Sequence, residues 1–399
     1  MAVTFRGEQL DKKHKALWVV LITFGSLLLL AFTSWLVFFR FYKSTRDSYV
    51  HGNPILITPQ ISSYVTSIHS DDTFLIEEGQ ILVKLETIDF ETVYGRTKAD
   101  LANAVRQTVL KFESVREYYA ELKAEQAVLI KAQVDYEDRK AVVASGAVSV
   151  EDFIAAESFY QETVSRIEML KSKLRMAIAY VRGTTVENHP VVLAAKEAFI
   201  EASVNLERCV IRSPATGIVT LRTVQVGEAV NPKDPLMTVV PIEQMWVNAN
   251  FKETQLSKIR IGQKVDMTAD MYGYDVIFHG VVEGISGGTG AVFSLLPPQE
   301  ATGNWIKIVQ RLPVRVTLDP QELRKHPLRL GLTMETHVHV NDLDLPQNPL
   351  PRNEKPIYLT EVYNVQGEKG KKDSVEIIRQ NNTLIEMTEE EFNQMLSEL

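Results

Sequence analysis

Two long heptad seams joined by a few small residues constrain this chain more than any other feature. From Leu101 the first seam steps alternately four and three residues through Val105, Thr108, Phe112, Val115, Tyr119, Leu122, Gln126, Leu129, Gln133, Tyr136, Lys140 and Val143. The second runs through Phe153, Ala156, Tyr160, Thr163, Ile167, Leu170, Leu174, Ala177 and Val181. Neither arm carries Gly or Pro between Arg96 and Ser145 or between Val148 and Arg182. A narrow apolar stripe at this period suits a two-helix seam rather than the wide face of a helix in a bundle. The connector Ser145-Gly146-Ala147-Val148-Ser149 is a turn, with Ser149 placed as an N-cap and Asp152 at the capping-box position. The pattern predicts a projecting antiparallel hairpin with arms of about 55 residues, its tip roughly 80 Å from its root. Gly183 and Pro190 interrupt the second arm, and a last helical piece follows through Ala195, Phe199, Ala202 and Leu206.

The hairpin is inserted into a β-rich unit. Short strand-like runs lie at Ile55–Ile57, Tyr64–Ile68 and Ile81–Leu85, with Glu77-Glu78-Gly79 as a turn. A similar phrase returns after the helices. Pro59, Val65-Thr66, Glu78-Gly79 and Ile81–Val83 are echoed by Pro214, Val219-Thr220, Val226-Gly227 and Leu236–Val239. Two copies of one half-motif predict a small β domain assembled from distant segments.

Leu17–Phe39 contains no charge. At about 1.5 Å per residue it spans roughly 35 Å, enough for a hydrocarbon core of about 30 Å. Trp18 and Trp35 lie near its ends, where indoles favour the interface. The run exceeds the apolar region of a secretory signal and continues into Arg40 without a small-residue cleavage pattern, which predicts an uncleaved anchor. Arg6, Lys12, Lys13 and Lys15 before it, against Arg40, Lys43 and Arg46 after it, lean toward a cytoplasmic N-terminus. No second spanning run follows, so the rest lies on one side.

Met245–Val340 alternates strand-like runs with Gly turns, the pattern of a small β-barrel. Ser286–Gly290 is Gly-rich but lacks the Lys-Ser/Thr of a phosphate loop, so it reads as a turn. His337 and His339 share a strand face with no third ligand nearby, which argues against a metal site. The single cysteine, Cys209, excludes an intrachain disulfide and reads as a buried small residue at an element junction. A net charge of −8 argues against nucleic acid as a partner. No catalytic arrangement stands out, and the chain reads as a scaffold, not an enzyme. Asn341–Pro356 reads as a linker, and Thr388 with Glu391 as the cap of a short terminal helix.

Anchor, half-motif, hairpin, half-motif and barrel occur in that order, and the chain resembles the HlyD-type membrane fusion proteins, within them the EmrA-like branch serving major-facilitator drug exporters. The phrases that carry the resemblance are Asp47–Asn53, Val210–Pro214, Met245–Gln255, Ile259–Gln263 and, above all, Thr302–Arg315. The likeness covers about residues 10–340 and not the tail. It implies a multidomain α+β fold: a single transmembrane helix, a lipoyl-like β domain split by a long antiparallel α-helical coiled-coil hairpin, and a small β-barrel. The corresponding division is 1–16 cytoplasmic N-terminus, 17–39 anchor, 47–88 first lipoyl-like half and 89–206 hairpin with its tip at 145–149. The second lipoyl-like half is 207–241, the barrel 242–340, and the linker and polar tail 341–399.

The resemblance further implies an inner-membrane protein acting as a periplasmic adaptor in multidrug efflux. Its partners would be an inner-membrane major-facilitator transporter, an outer-membrane channel and further copies of itself. Carrier relatives of the lipoyl fold bear an acceptor Lys, usually after Met. No Met-Lys occurs here, so no cofactor is expected. In related adaptors the tip docks on the channel through an Arg…Leu…Ser pattern. The nearest match is Arg139…Val143…Ser149, with Val for Leu and one residue fewer before Ser. The candidate contact set is Arg139, Val143, Gly146, Ala147, Val148 and Ser149, and the same residues equally suit simple closure of the hairpin. Rival readings are an adaptor for an ABC-type protein secretion system, against which the Trp305 phrase argues, a lipoyl- or biotin-type carrier, and a tethered coiled-coil structural protein.

Overall fold

The computed structural model of the chain describes residues 4–38, 41–290, 292, 309–342, 344–345, 355–384 and 389–397. The first half of the Thr302–Arg315 phrase, including Trp305, lies outside the described residues, as do Thr388 and much of the 341–356 linker. In chain order the strands are β1 (Tyr42–His51), β2 (Ile55–Ile57), β3 (Ser63–Ile68), β4 (Leu75–Ile76), β5 (Ile81–Leu85), β6 (Val210–Arg212) and β7 (Gly217–Thr220). There follow β8 (Ala229–Val230), β9 (Met237–Val240), β10 (Trp246–Lys252), β11 (Lys264–Ala269), β12 (Ile277–Ile285), β13 (Arg311–Leu318) and β14 (Thr333–His339). The helices are α1 (Thr4–Phe38), α2 (Ile88–Val143), α3 (Val150–Val181), α4 (Pro190–Glu207), α5 (Glu253–Leu256), α6 (Pro320–Lys325), α7 (Glu368–Asn381) and α8 (Glu389–Ser397).

Within α1, Leu17–Trp35 is apolar, exposed throughout and long enough to cross a membrane. A helix apolar on every face and packed against nothing has lipid as its natural solvent. Strand β1 begins shortly afterwards.

That strand corrects the sequence reading. Residues 47–51, assigned above to the first lipoyl-like half, belong to β1, which closes the six-stranded barrel β1-β10-β13-β12-β11-β14. It pairs with β10 on one side and β14 on the other, His51 opposite Trp246 and Tyr42 opposite His339. The barrel thus needs a strand roughly 200 residues upstream of the rest, a pairing no local pattern announces. Gly280 does not break β12, which runs continuously from Ile277 to Ile285. The barrel interior is mainly apolar, with Val247, Phe251, Phe278, Val316 and Val338 fully buried, and its buried hydroxyls Thr336 and Ser48 satisfy each other at 2.9 Å.

Strands β2 to β9 form two four-stranded sheets, ordered β2-β9-β7-β4 and β6-β5-β3-β8. Exchanging the two sequence halves (β2 for β6, β3 for β7, β4 for β8, β5 for β9) turns one order into the other. The backbone bonding follows the same exchange at a constant spacing. Thr73 N–H donates to Val219 O at 2.9 Å, and 154 positions from the first to the second partner's equivalents, Gly227 N–H donates to Val65 O at 2.8 Å. Likewise His69 donates to Leu82 O as Thr223 does to Leu236 O. The repeat is therefore a pseudo-twofold, but one alignment read from the sequence shifts. Gly227 corresponds to Thr73, not to Gly79, and Gly79 corresponds to Lys233. All four carry positive φ: 75° and 86° for the first pair, 79° and 79° for the second. The left-handed backbone is retained in both halves while glycine is kept at only one of each pair.

The hairpin leaves this domain after β5 and returns before β6. The 56 residues of α2 span about 84 Å. The seam buries Leu101, Val105, Thr108, Phe112, Val115 and Leu122 from α2 against Ile167, Leu170, Leu174, Ile178 and Val181 from α3. The return arm is broken. Helix α3 ends at Val181, Gly183 has φ +73°, and α4 restarts at Pro190 with His189 as N-cap. Near the root the hairpin is more than two arms. Helix α7 packs against both α2 and α4, and Met395 of α8 joins the same core. The tail is thus not merely polar: Ile377 and Ile378 are buried in the root, while Glu207 Oε2 accepts from Gly367 N–H at 2.8 Å. Cys209 sits at the junction of α4 and β6, fully buried, and burial pushes its thiol up to about 11.

Candidate docking site at the hairpin tip

Toward the tip the flanking helices are gone and the seam narrows. Tyr136 stacks between Phe153 (centroids 5.8 Å apart) and Tyr160 (5.4 Å), with Lys140 Nζ 5.3 Å from the Tyr136 ring centre. Aromatic rings bridge the two helices where aliphatic burial runs short, each such pair adding about 0.5–1.5 kcal/mol. Gln133, a polar seam position, is exposed and bonds Glu137 at 2.9 Å.

Helix α2 ends at Val143, and Gly146 takes φ +74°, which turns the chain. Ser149 then caps α3. Its Oγ accepts from Asp152 N–H at 3.1 Å and donates to Asp152 Oδ2 at 2.6 Å. Such a cap contributes about 1 kcal/mol. Arg139 joins the two arms: its Nε lies 3.0 Å from Asp135 Oδ1, and its Nη1 donates to Asp152 O at 2.9 Å. Arg139, Gly146 and Ser149 thus all take part in closing the turn. Val143 and Val148 are half-buried, and Ala147 is exposed.

Apolar surface remains beside this closure. Val150 is 65% exposed and Ile154 53%, one turn apart on α3, with Val142 exposed at the end of α2. The sequence reading passed over these residues because it followed the seam. Their signal is the converse: aliphatic residues off the seam register, at the end farthest from every other element.

The two histidines of β14 do not converge. His339 Nε2 lies 2.7 Å from Asp266 Oδ2, and His337 Nε2 lies 3.6 Å from Glu335. No grouping of three metal-ligating side chains occurs among the described residues. On the barrel's outer wall His279 Nδ1 lies 2.7 Å from Glu322 Oε1; that hydrogen bond, helped by the charges of Glu322, Asp266 and Asp319, raises the imidazole pKa above its ordinary 6.5.

The sequence agrees with two family descriptions, the EmrA alpha-helical hairpin domain over residues 88–209 and the AAEA-like beta-barrel domain over residues 244–339. Among curated relatives, the probable multidrug resistance protein EmrK of Escherichia coli K12 is 42% identical over 80% of this chain and 82% of its own length. The multidrug export protein EmrA of the same organism is 40% identical over 78% and 80%, and that of Haemophilus influenzae 39% over 77% and 79%. With the anchor, the split lipoyl-like domain, the hairpin and the closed barrel in one order, the chain belongs to the EmrA-like branch of the HlyD-type membrane fusion proteins, a family of non-enzymatic adaptors.

Proposed function

We propose that this protein is the periplasmic adaptor of a tripartite efflux pump. It links an inner-membrane major-facilitator drug transporter to an outer-membrane channel for export of hydrophobic toxic compounds. In this reading the N-terminus is cytoplasmic, α1 holds the chain in the inner membrane, and everything from β1 onward is periplasmic. The hairpins of several copies assemble side by side, and the tip, Arg139 to Ile154, meets the channel. Within the tip, Arg139, Gly146 and Ser149 hold the turn, while Ala147, Val148, Val150 and Ile154 supply the contact surface.

One observation carries the reading: the chain combines a lipid-length apolar helix with a hairpin that projects roughly 84 Å along α2 from the lipoyl-like domain and ends in a small apolar tip. No reactive constellation lies between them among the described residues, so the account is mechanical. The names of the relatives, multidrug resistance and multidrug export proteins, favour drugs as cargo.

The test is photo-crosslinking in intact cells from a benzophenone amino acid placed at Val150 or at Ile154. The reading expects an adduct with an outer-membrane protein, and co-purification of a polytopic inner-membrane transporter with the full chain. Tip adducts with cytoplasmic proteins alone, or no transporter in the purified material, would overturn it.

A further inference from the structure

The barrel end at which β1 begins is built like a membrane-surface contact. Only residues 39–41 separate the end of α1 from Tyr42, a reach of about 14 Å at full extension. Whatever the tilt of α1, that end of the barrel stays at the headgroup layer of the leaflet α1 leaves.

Strand register identifies what else lies there. Tyr42 pairs with His339 at the end of β14, and Lys252 pairs with Arg311 at the start of β13. Ser44 O accepts from Gln255 Nε2 at 3.2 Å, which brings α5 to the same end. Strands β10 and β11 are not neighbours, so residues 253–263 must cross the mouth of the barrel. Ile259, fully buried, plugs it, and Gln263 Nε2 ties the crossing down through Lys258 O and Asp342 O at 3.2 and 3.1 Å.

The surface left by this construction has an interfacial composition. Phe41 and Tyr42 are exposed aromatics. Lys43, Lys252, Lys258 and Lys264 carry no ion pair among the described residues, and the Arg260 guanidinium donates only to the backbone carbonyls of Ser257 and Ile259. Of the acids interleaved with them, Asp47 pairs with Arg311 at 2.9 Å, leaving Glu253, Asp266 (which lies 2.7 Å from His339 Nε2), Asp342 and Asp344. An excess of unpaired cations, in a chain whose net charge is −8, is thus gathered at the one end tethered within reach of lipid. Long lysine stems can lie along the acyl boundary while their ammonium groups meet phosphate, and aromatic rings sit at the same depth.

We infer that this barrel end docks on anionic phospholipid headgroups, through Lys43, Lys252, Lys258 and Lys264 flanked by Phe41 and Tyr42, holding the barrel upright on the membrane. The inference uses the spanning role of α1 but not the identity of transporter or channel, so it can fail while the efflux reading stands. Each lysine held at a charged surface favours the docked orientation by on the order of fivefold, an effect confined to within about a Debye length.

The experiment uses the full chain in lipid nanodiscs. Cys209 is buried, so a nitroxide at Ser257→Cys labels the barrel end selectively, and one at Val226→Cys labels the lipoyl-like domain. Collision with a headgroup-chelated nickel lipid is compared in phosphatidylcholine discs and in discs containing about a third phosphatidylglycerol. The barrel-end label should collide at least about threefold more often in the anionic discs. That gain should fade in high salt and in Lys252→Gln/Lys258→Gln, with the Val226→Cys label indifferent throughout and the thermal melt of the double variant unchanged. Equal collision in the two lipids would overturn the inference. So would an approach seen only with a co-reconstituted transporter, which would assign the lysines to acidic protein loops instead.

Discussion

A Cβ atom at Gly370 would lie 2.7 Å from the Cβ of Ser203, so α7 approaches α4 as closely as a side-chain-free backbone allows. The contact lets Ile377 and Ile378 reach the core between α2 and α4. Gly370→Val should force the helices apart at a cost of about 1–3 kcal/mol. Amide exchange in 368–381 should then accelerate while the hairpin seam and barrel stay protected. Lys372→Val, at an exposed position of the same helix, serves as control and should leave exchange in 368–381 near the wild-type pattern. Unaltered protection in Gly370→Val would mean that α7 is not seated as described.

The pseudo-twofold makes a paired prediction about strain. Thr73 holds φ +75° where its counterpart is Gly227 at +86°. A β-branched residue in the left-handed region costs about 1–2 kcal/mol relative to glycine there. Thr73→Gly should therefore leave stability unchanged or raise it slightly, since glycine returns some of the gain as chain entropy. Gly227→Thr should lower it by about 1–2 kcal/mol in denaturant titration. Equal losses from both substitutions would refute the equivalence of the two positions.

At the tip, Ser149→Ala removes both the acceptor for Asp152 N–H and the donor to its carboxylate. The loss should be about 1 kcal/mol, confined to the first turn of α3. Faster exchange at residues 150–153, with the root unchanged, is the signature. Ser149→Asp should restore most of the protection, as a second good cap.

The pair His279–Glu322 predicts a pH effect with a definite sign. The folded imidazole titrates above its ordinary 6.5. Its contribution is therefore present in full below the unfolded value and is lost as pH rises through the folded one. His279→Gln should lower the barrel's melting temperature at pH 5.5 relative to wild type and leave it nearly unchanged at pH 8. The shift should be modest, because the ring is largely exposed and the pair is screened by solvent. A deficit that grows toward pH 8 would reverse the assignment.

These residues also mark what a sequence can disclose. The hairpin seam was readable because burial there depends on neighbours three and four residues away, and Ser149 with Asp152 is a cap of the same short range. The anchor was readable from length and charge alone. The place of β1 was not, because Tyr42–His51 is an ordinary alternating strand whose partners lie about 200 and 290 residues onward. The α7 groove was hidden for a similar reason: nothing near Gly370 signals that Ser203 needs a glycine opposite. At the candidate docking site the Arg139…Ser149 pattern located the hairpin turn, and Arg139 and Ser149 are engaged in closing it. The exposed Val150 and Ile154 emerge only once the seam's actual face is known.

Drug accumulation in cells lacking the protein measures the central proposal most directly. A fluorescent hydrophobic compound should accumulate severalfold in the deletion strain and return to the parental level when the full chain is restored. Val150→Glu/Ile154→Glu, which alters exposed tip residues and leaves the seam intact, should remain at the deletion level despite normal membrane abundance. Parental accumulation in the deletion strain, across several such compounds, would contradict the assignment of this protein to drug efflux.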